Sequence, residues 1–109
     1  MQTIAIDNEW IETARFFGDV EGVVKTALRS YLFEQTQSRI DKAASRINAY
    51  AQKYACDHDT FKRSLQTDAV FLTKIEAQNP LWEEDAMEWE YWLEEHRAWR
   101  TRLETISRR

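Results

Sequence analysis

Two glycines, one proline and one cysteine are all that 109 residues contain of these types, and each shortage excludes something. With only Gly18, Gly22 and Pro80 to interrupt it, the chain has little to stop a helix once one starts. Ala, Glu, Arg, Leu and Gln, which enter helices at low intrinsic cost, are plentiful. A mainly α fold is therefore expected. Cys56 has no second cysteine to pair with, which excludes an internal disulfide, suggests a reducing compartment and leaves it the role of a small buried hydrophobe. The N-terminal stretch MQTIAIDNEW has neither a basic start nor an apolar run, and nowhere do about 18 apolar residues follow one another. The expectation is one soluble, cytoplasmic domain.

Positive charge is also in short supply, and unevenly so. Residues 1–56 carry seven basic and seven acidic side chains, whereas residues 57–109 carry eight basic and twelve acidic, which together give the net charge of −4. An acidic chain has no general attraction for nucleic acid or anionic lipid, so a DNA contact would have to come from the neutral front end through local geometry.

Along the chain, residues 2–7 alternate Ile4 and Ile6 with Thr3 and Ala5, the period of a half-buried strand. One strand cannot satisfy its own backbone groups, so the pattern predicts that the same segment of a second chain pairs with it. Asp7 or Asn8 can cap a following short helix with the apolar stripe Trp10, Ile11, Ala14 and Phe17, and Gly18 suits its left-handed stop. A second helix is expected from Val20 or Glu21, with Val20, Val23, Val24, Ala27, Leu28, Tyr31 and Leu32 at helical spacing. Ile40, Ala44, Ile47, Ala51 and Tyr54 continue at steps of four and three, a coiled-coil type of seam, and the intervening polar QTQS of residues 35–38 predicts a bend or a change of packing partner. CDHDT, residues 56–60, offers N-caps for a further helix over about 60–78 carrying Phe61, Leu65, Ala69, Leu72 and Ile75.

Asn79-Pro80 then reads as a cap followed by a first helical residue. The helix it opens holds four of the five tryptophans and seven carboxylates between Glu83 and Glu95. Counting by sevens, Trp82, Trp89, His96 and Leu103 share one core position and Asp85, Trp92, Trp99 and Ile106 the other. Acids precede Arg97, Arg100, Arg102, Arg108 and Arg109, an order that complements the helix dipole. The stripe can pack within the chain as an antiparallel hairpin against residues 40–54 or 61–75. Alternatively, part of it stays available to a partner, because Trp and Tyr are enriched at interface hot spots; Trp82, Met87, Trp89, Tyr91, Trp92 and Trp99 are the candidate partner-binding residues. The carboxylates solvate the outer face or offer charge to a basic partner.

Nothing here composes an enzyme or a cofactor site. Cys56, Asp57, His58 and Asp59 are metal-binding types, but four adjacent residues in one turn cannot converge, and a helix cap beside a buried Cys56 is the simpler reading. His96 lies on the aromatic seam without a defined nucleophile or carboxylate pair beside it. Accidental pairs such as Glu84 and Glu88 occur on any acidic helix.

The front end, with QTIAID, then WIETARFFG, then VVKTALRSYL, resembles the ribbon-helix-helix family, in particular antitoxins of the VapB sort. The resemblance covers residues 2 to about 32 and implies an N-terminal strand-helix-helix dimerisation unit, residues 1–34, ahead of a helical partner-binding region, residues 35–109. It implies that Ile4, Ile6, Ile11, Val24 and Leu28 form the dimer core, and that Gln2, Thr3 and Ala5 face DNA bases from an antiparallel ribbon. Backbone N–H groups of Gly22 and Val23, helped by Lys25 and Arg29, would meet phosphate. This sequence departs from the family at Ala5, which offers only an apolar contact, and at Asp19 and Glu21, which put negative charge beside the phosphate. The expected protein is a homodimeric antitoxin that captures a cognate toxin, a ribonuclease in many such pairs, through its acidic Trp-rich C-terminal helix, with operator DNA as a further ligand. The competing expectation is a helical interaction or adaptor module with no DNA-binding role.

Overall fold

The computed structural model describes residues 2–108, so Met1 and Arg109 lie outside it. Five helices follow one another: α1 (Asn8–Arg15), α2 (Val20–Tyr54), α3 (His58–Thr67), α4 (Ala69–Gln78) and α5 (Trp82–Ser107). The fold is elongated, 68 × 24 × 23 Å, because α2 and α5 run antiparallel as one long hairpin. Side-chain pairs fix the register. Lys53 and Tyr54 meet Asp85, Tyr50 meets Glu88, Arg46 lies over Trp92 and Arg39 over Trp99, descending α2 as α5 ascends.

The mainly α expectation holds, but the N-terminal strand does not exist. Residues 2–6 are irregular and exposed, and no strand occurs among the described residues, which removes the ribbon-helix-helix unit as the description of this fold. The physical reason is the one that made the strand doubtful alone: a single extended segment has no ladder partner within its own chain, so its N–H and C=O groups go to water.

The first α-hairpin forms much as its punctuation suggests. Gly18 adopts φ +140, a region closed to other residues, although a Cβ there would have room. Asp19 caps α2, its carboxylate accepting from the Gly22 N–H at 3.3 Å. From there α2 runs 35 residues through QTQS without a break, and its packing partner changes across that interval, from α1 before it to α5 after it.

The helix expected over residues 60–78 is two helices. Asp68 separates them by accepting from the N–H groups of both Val70 and Phe71 at 3.1 Å, a cap inserted into an otherwise continuous apolar stripe. Asp57 caps α3 through the Thr60 N–H at 2.7 Å. Asn79 does not cap α5, which begins after Leu81; its side-chain amide donates to the Tyr54 hydroxyl at 2.9 Å instead.

The core sits at one end of the molecule, where the last turns of α2 and the first of α5 receive the α3–α4 corner. Trp89 is fully buried there with Phe61, Tyr54 and Ile75. Tyr50 and Tyr54 both stack on its indole at 6.0 Å, and Phe61 tilts against it at 5.4 Å. Every other position of the heptad seam, Trp82, Asp85, Trp92, His96, Trp99, Leu103 and Ile106, is half-buried.

Candidate functional site

The tryptophans of α5 are occupied mainly within the chain. Trp89 is core, Trp82 packs against that core, and Trp92 and Trp99 lie under cations of α2. Of the six expected partner-binding residues only Met87 and Tyr91 face outward, Met87 being 72% exposed, among the exposed carboxylates of Glu83, Glu84, Glu90 and Glu94. The aromatic stripe thus serves chiefly to close the hairpin.

The large exposed apolar surface lies at the other end of the chain. Extending the hairpin register brings Ile106 only as far as Phe33, so α5 stops there and residues 20–32 of α2 have no α5 beside them. α1 covers part of this overhang through Ile11, Ala14, Val20 and Val23, all half-buried. The rest is bare: Trp10 is 70%, Phe16 88% and Phe17 80% exposed, with Val24, Leu28, Tyr31 and Leu32 also exposed on α2. Of the expected dimer-core residues, Ile4, Ile6, Val24 and Leu28 are exposed and Ile11 is half-buried.

The expected DNA-contact residues do not form one surface. Gln2, Thr3 and Ala5 lie in the irregular segment. The Gly22 N–H is taken by the Asp19 carboxylate and the Val23 N–H by the Asp19 carbonyl at 2.9 Å, so neither is free for phosphate. Lys25 pairs with Glu21 at 3.0 Å, and Arg29 lines a shallow hollow with Phe33 and Ile106.

Two features of α2 escaped the sequence reading. Val24, Leu28, Tyr31, Gln35, Arg39, Lys42, Arg46, Ala49 and Lys53 recur at steps of four and three and are all exposed, one stripe along the helix. It is apolar in front and basic behind. Its rear cations rest on indoles, Arg39 at 5.4 Å from the Trp99 ring, Lys42 and Arg46 at 5.7 and 5.8 Å from Trp92, while Arg102 of α5 covers Trp99 at 4.3 Å. The signal was present as spacing, but it could be read only once the register set α5 beside α2.

Charge is managed locally at the core end. Asp85 accepts from Lys53 at 2.6 Å and from Tyr54 at 2.5 Å; burial alone would raise its carboxyl, but these donors and Asn79 hold it below the usual range. The Tyr50 hydroxyl is pushed up to about 12 by its hydrogen bond to Glu88, with burial adding to it. Burial and then Asp85 push the Tyr54 hydroxyl higher still. Asp57 is held low by the hydrogen bonds from Thr60, and burial raises the Cys56 thiol, which packs against the core but is half-buried where the sequence predicts a buried residue.

A groove of about 520 Å³ opens beside Trp89, floored by Ile47, Ala51 and Leu93 and rimmed by His58, Lys62 and Glu90 among others. No serine, threonine or cysteine lines it, and its charged rim is acidic on balance, Asp57, Asp59, Glu90 and Glu94 against Lys62 and Arg97, with Lys62 at 3.7 Å from Glu90. His58 sits edge-on to the Trp89 ring at 5.2 Å, a packing contact. Among the described residues no three of His, Cys, Asp and Glu converge as metal ligands. His96 remains on the half-buried seam. Among the described residues no helix is long and apolar enough to cross a membrane.

Compared with family models, with curated proteins and with solved structures, the chain gives no match.

Proposed function

We propose that this chain is a helical interaction protein that works as a homodimer, joined through α1 and the front of α2, with the α2–α5 hairpin as a stem that presents partner-binding faces. The observation that carries the reading is the uncovered apolar overhang of residues 10–32. Trp10, Phe16, Phe17 and Tyr31 alone leave on the order of 500 Å² in water, at roughly 150–250 Å² for each aromatic side chain. Two copies together offer about 1,000 Å², the lower bound for a specific interface. With Val24, Leu28 and Leu32 added, the surface reaches the upper end of the roughly 300–600 Å² that the largest apolar patch on a monomer spans, and patches of that size are often interaction sites. The pairing is between helices and uses no strand.

A second face, on α5, favours capture of a basic protein partner, a toxin being one such partner. Exposed Met87 and Tyr91 give it apolar anchors, and Glu83, Glu84, Glu90 and Glu94 give it electrostatic steering. Base-specific reading of operator DNA has no support, because the expected base-reading residues Gln2, Thr3 and Ala5 have no ribbon to carry them.

Light scattering on the eluting full chain tests the dimer. Wild type should elute as a dimer at micromolar concentration, and the variant Leu28→Asp with Tyr31→Asp, both exposed in the single chain, should be a monomer with unchanged helix content. A wild-type monomer would overturn the reading. In the same assay a Met87→Ser, Tyr91→Ser variant should stay dimeric; if it dissociates, the interface lies on α5 instead.

A further inference from the structure

The rear half of the exposed α2 stripe is a surface of a different kind from the apolar front. Residues 1–34 carry six acids and three bases, whereas residues 35–54 carry four bases and one acid, Asp41. That acid is absent from the stripe, which reads Gln35, Arg39, Lys42, Arg46, Ala49, Lys53. From Arg39 to Lys53 it runs roughly 21 Å at about 1.5 Å per residue.

A carboxylate a turn away can neutralise a cation on a helix, as Glu21 does Lys25. Arg39, Lys42, Arg46 and Arg102, like most cations of this chain, have no ion-pair partner among the described residues, and what sets them apart is where they lie. Each lies on an indole face instead. Stacking fixes the plane of a guanidinium and leaves its N–H edge free for bidentate contact with an anion. On the facing helix Glu88 accepts from Tyr50 and Glu95 from the Trp99 Nε1 at 3.0 Å, while Asp85 pairs with Lys53 and takes that cation out of the face, leaving Arg39, Lys42, Arg46 and Arg102.

We infer that this face binds the phosphodiester backbone of a nucleic acid without reading its sequence. The composition decides between a nucleic acid and an acidic protein. Protein interfaces draw their energy from a desolvated apolar centre, and here the two indoles that could supply one are covered by the cations themselves. The only apolar side chain on this half of the stripe is the single methyl of Ala49. What remains outward is Arg, Lys and Gln, side chains that contact phosphate and position a protein on a duplex or a strand. The net charge of −4 opposes approach only at long range, since salt screens charges more than about 10 Å apart at 0.1 M. This site lies on residues outside the dimer face and does not depend on it.

The test is fluorescence anisotropy with labelled mixed-sequence oligonucleotides, four arms covering single-stranded and duplex DNA and RNA, titrated with the full chain over a range of salt. Binding should be indifferent to sequence, and log affinity should fall with log salt at a slope of about −3 to −4, corresponding to four phosphates. The arms identify which backbone is preferred. Arg39→Gln, Lys42→Gln, Arg46→Gln should lose at least tenfold in affinity and reduce the slope by about 2 to 3 while its circular dichroism stays that of wild type. Should the triple variant lose its fold, single Arg39→Gln and Arg46→Gln variants must each reduce the slope by about 1. No salt-sensitive binding in any arm overturns the inference, and so does a variant that binds as wild type. Poly-glutamate binding as tightly as the oligonucleotides at equal charge also overturns it, assigning the face to an acidic polypeptide.

Discussion

Tyr50, Tyr54 and Asp85 show how single residues join the hairpin end. Two phenols donate to two carboxylates across the α2–α5 seam, and this arrangement exists only while the phenols keep their protons. Both tyrosines titrate above the ordinary value of about 10. A group raised in the folded state contributes stability that is complete below its unfolded pKa and lost as pH rises through the folded one. Stability should therefore fall from about pH 10 upward, while Asp85, held low, gives stability that is lost only as pH drops below about 4. A spectrophotometric phenol titration checks the first part. In wild type Tyr50 should ionise near 12. In Glu88→Ala, which leaves no acceptor, it should ionise earlier, because the largest cause of its shift is gone; an unchanged Tyr50 titration would mean that burial, not Glu88, sets it. The same residues show a limit of sequence reading. Asp85 was legible as a seam position, but its partners Lys53, Tyr54 and Asn79 lie 32, 31 and 6 residues away in the chain, and no local pattern names them.

At the scale of elements, apolar periodicity was a good guide to which faces pack and a poor one to where helices end. The seam of Trp82, Trp89, His96 and Leu103 with Asp85, Trp92, Trp99 and Ile106 is the observed one, since a 26-residue helix with so many indoles has one face it can bury. The break at Asp68 was missed because Phe61, Leu65, Ala69, Leu72 and Ile75 keep a helical spacing across it. A capping aspartate inside a stripe gives two helices only when the corner they form is stabilised by tertiary packing, here Phe61 against Phe71 at 6.0 Å over the Trp89 core. The strand was misread for the opposite reason: alternation over residues 2–7 specifies a face but supplies no ladder. Replacing Asp68 by Ala removes the acceptor for two N–H groups at the start of α4 and should cost about 1 kcal/mol in urea-induced unfolding. A loss below the error of that measurement would show that α3 and α4 merge into one helix when the cap is gone, at no net cost.

The whole molecule is unevenly stabilised along its 68 Å length. At one end the aromatic cluster about Trp89 ties four helices together; at the other, α1 and residues 20–32 of α2 have only each other. An isolated helix of fewer than about 12 to 15 residues is marginal in water, and α1 has 8 residues, so it depends on what covers its apolar side. Local opening free energy follows this distribution of buried contacts, and backbone amides report it through hydrogen exchange. In dilute solution the amides of residues 10–32 should exchange fastest among the helical ones and those of Tyr54, Phe61 and Trp89 slowest. A second copy covering the overhang stabilises it by mass action, so raising the protein concentration should slow exchange in residues 10–32 and leave the Trp89 end unchanged. Partner capture along α5 would protect the neighbourhood of Met87 and Tyr91 instead. Equal protection of residues 10–32 at nanomolar and micromolar chain would show that the overhang is held within one chain and would remove the reason for a dimer.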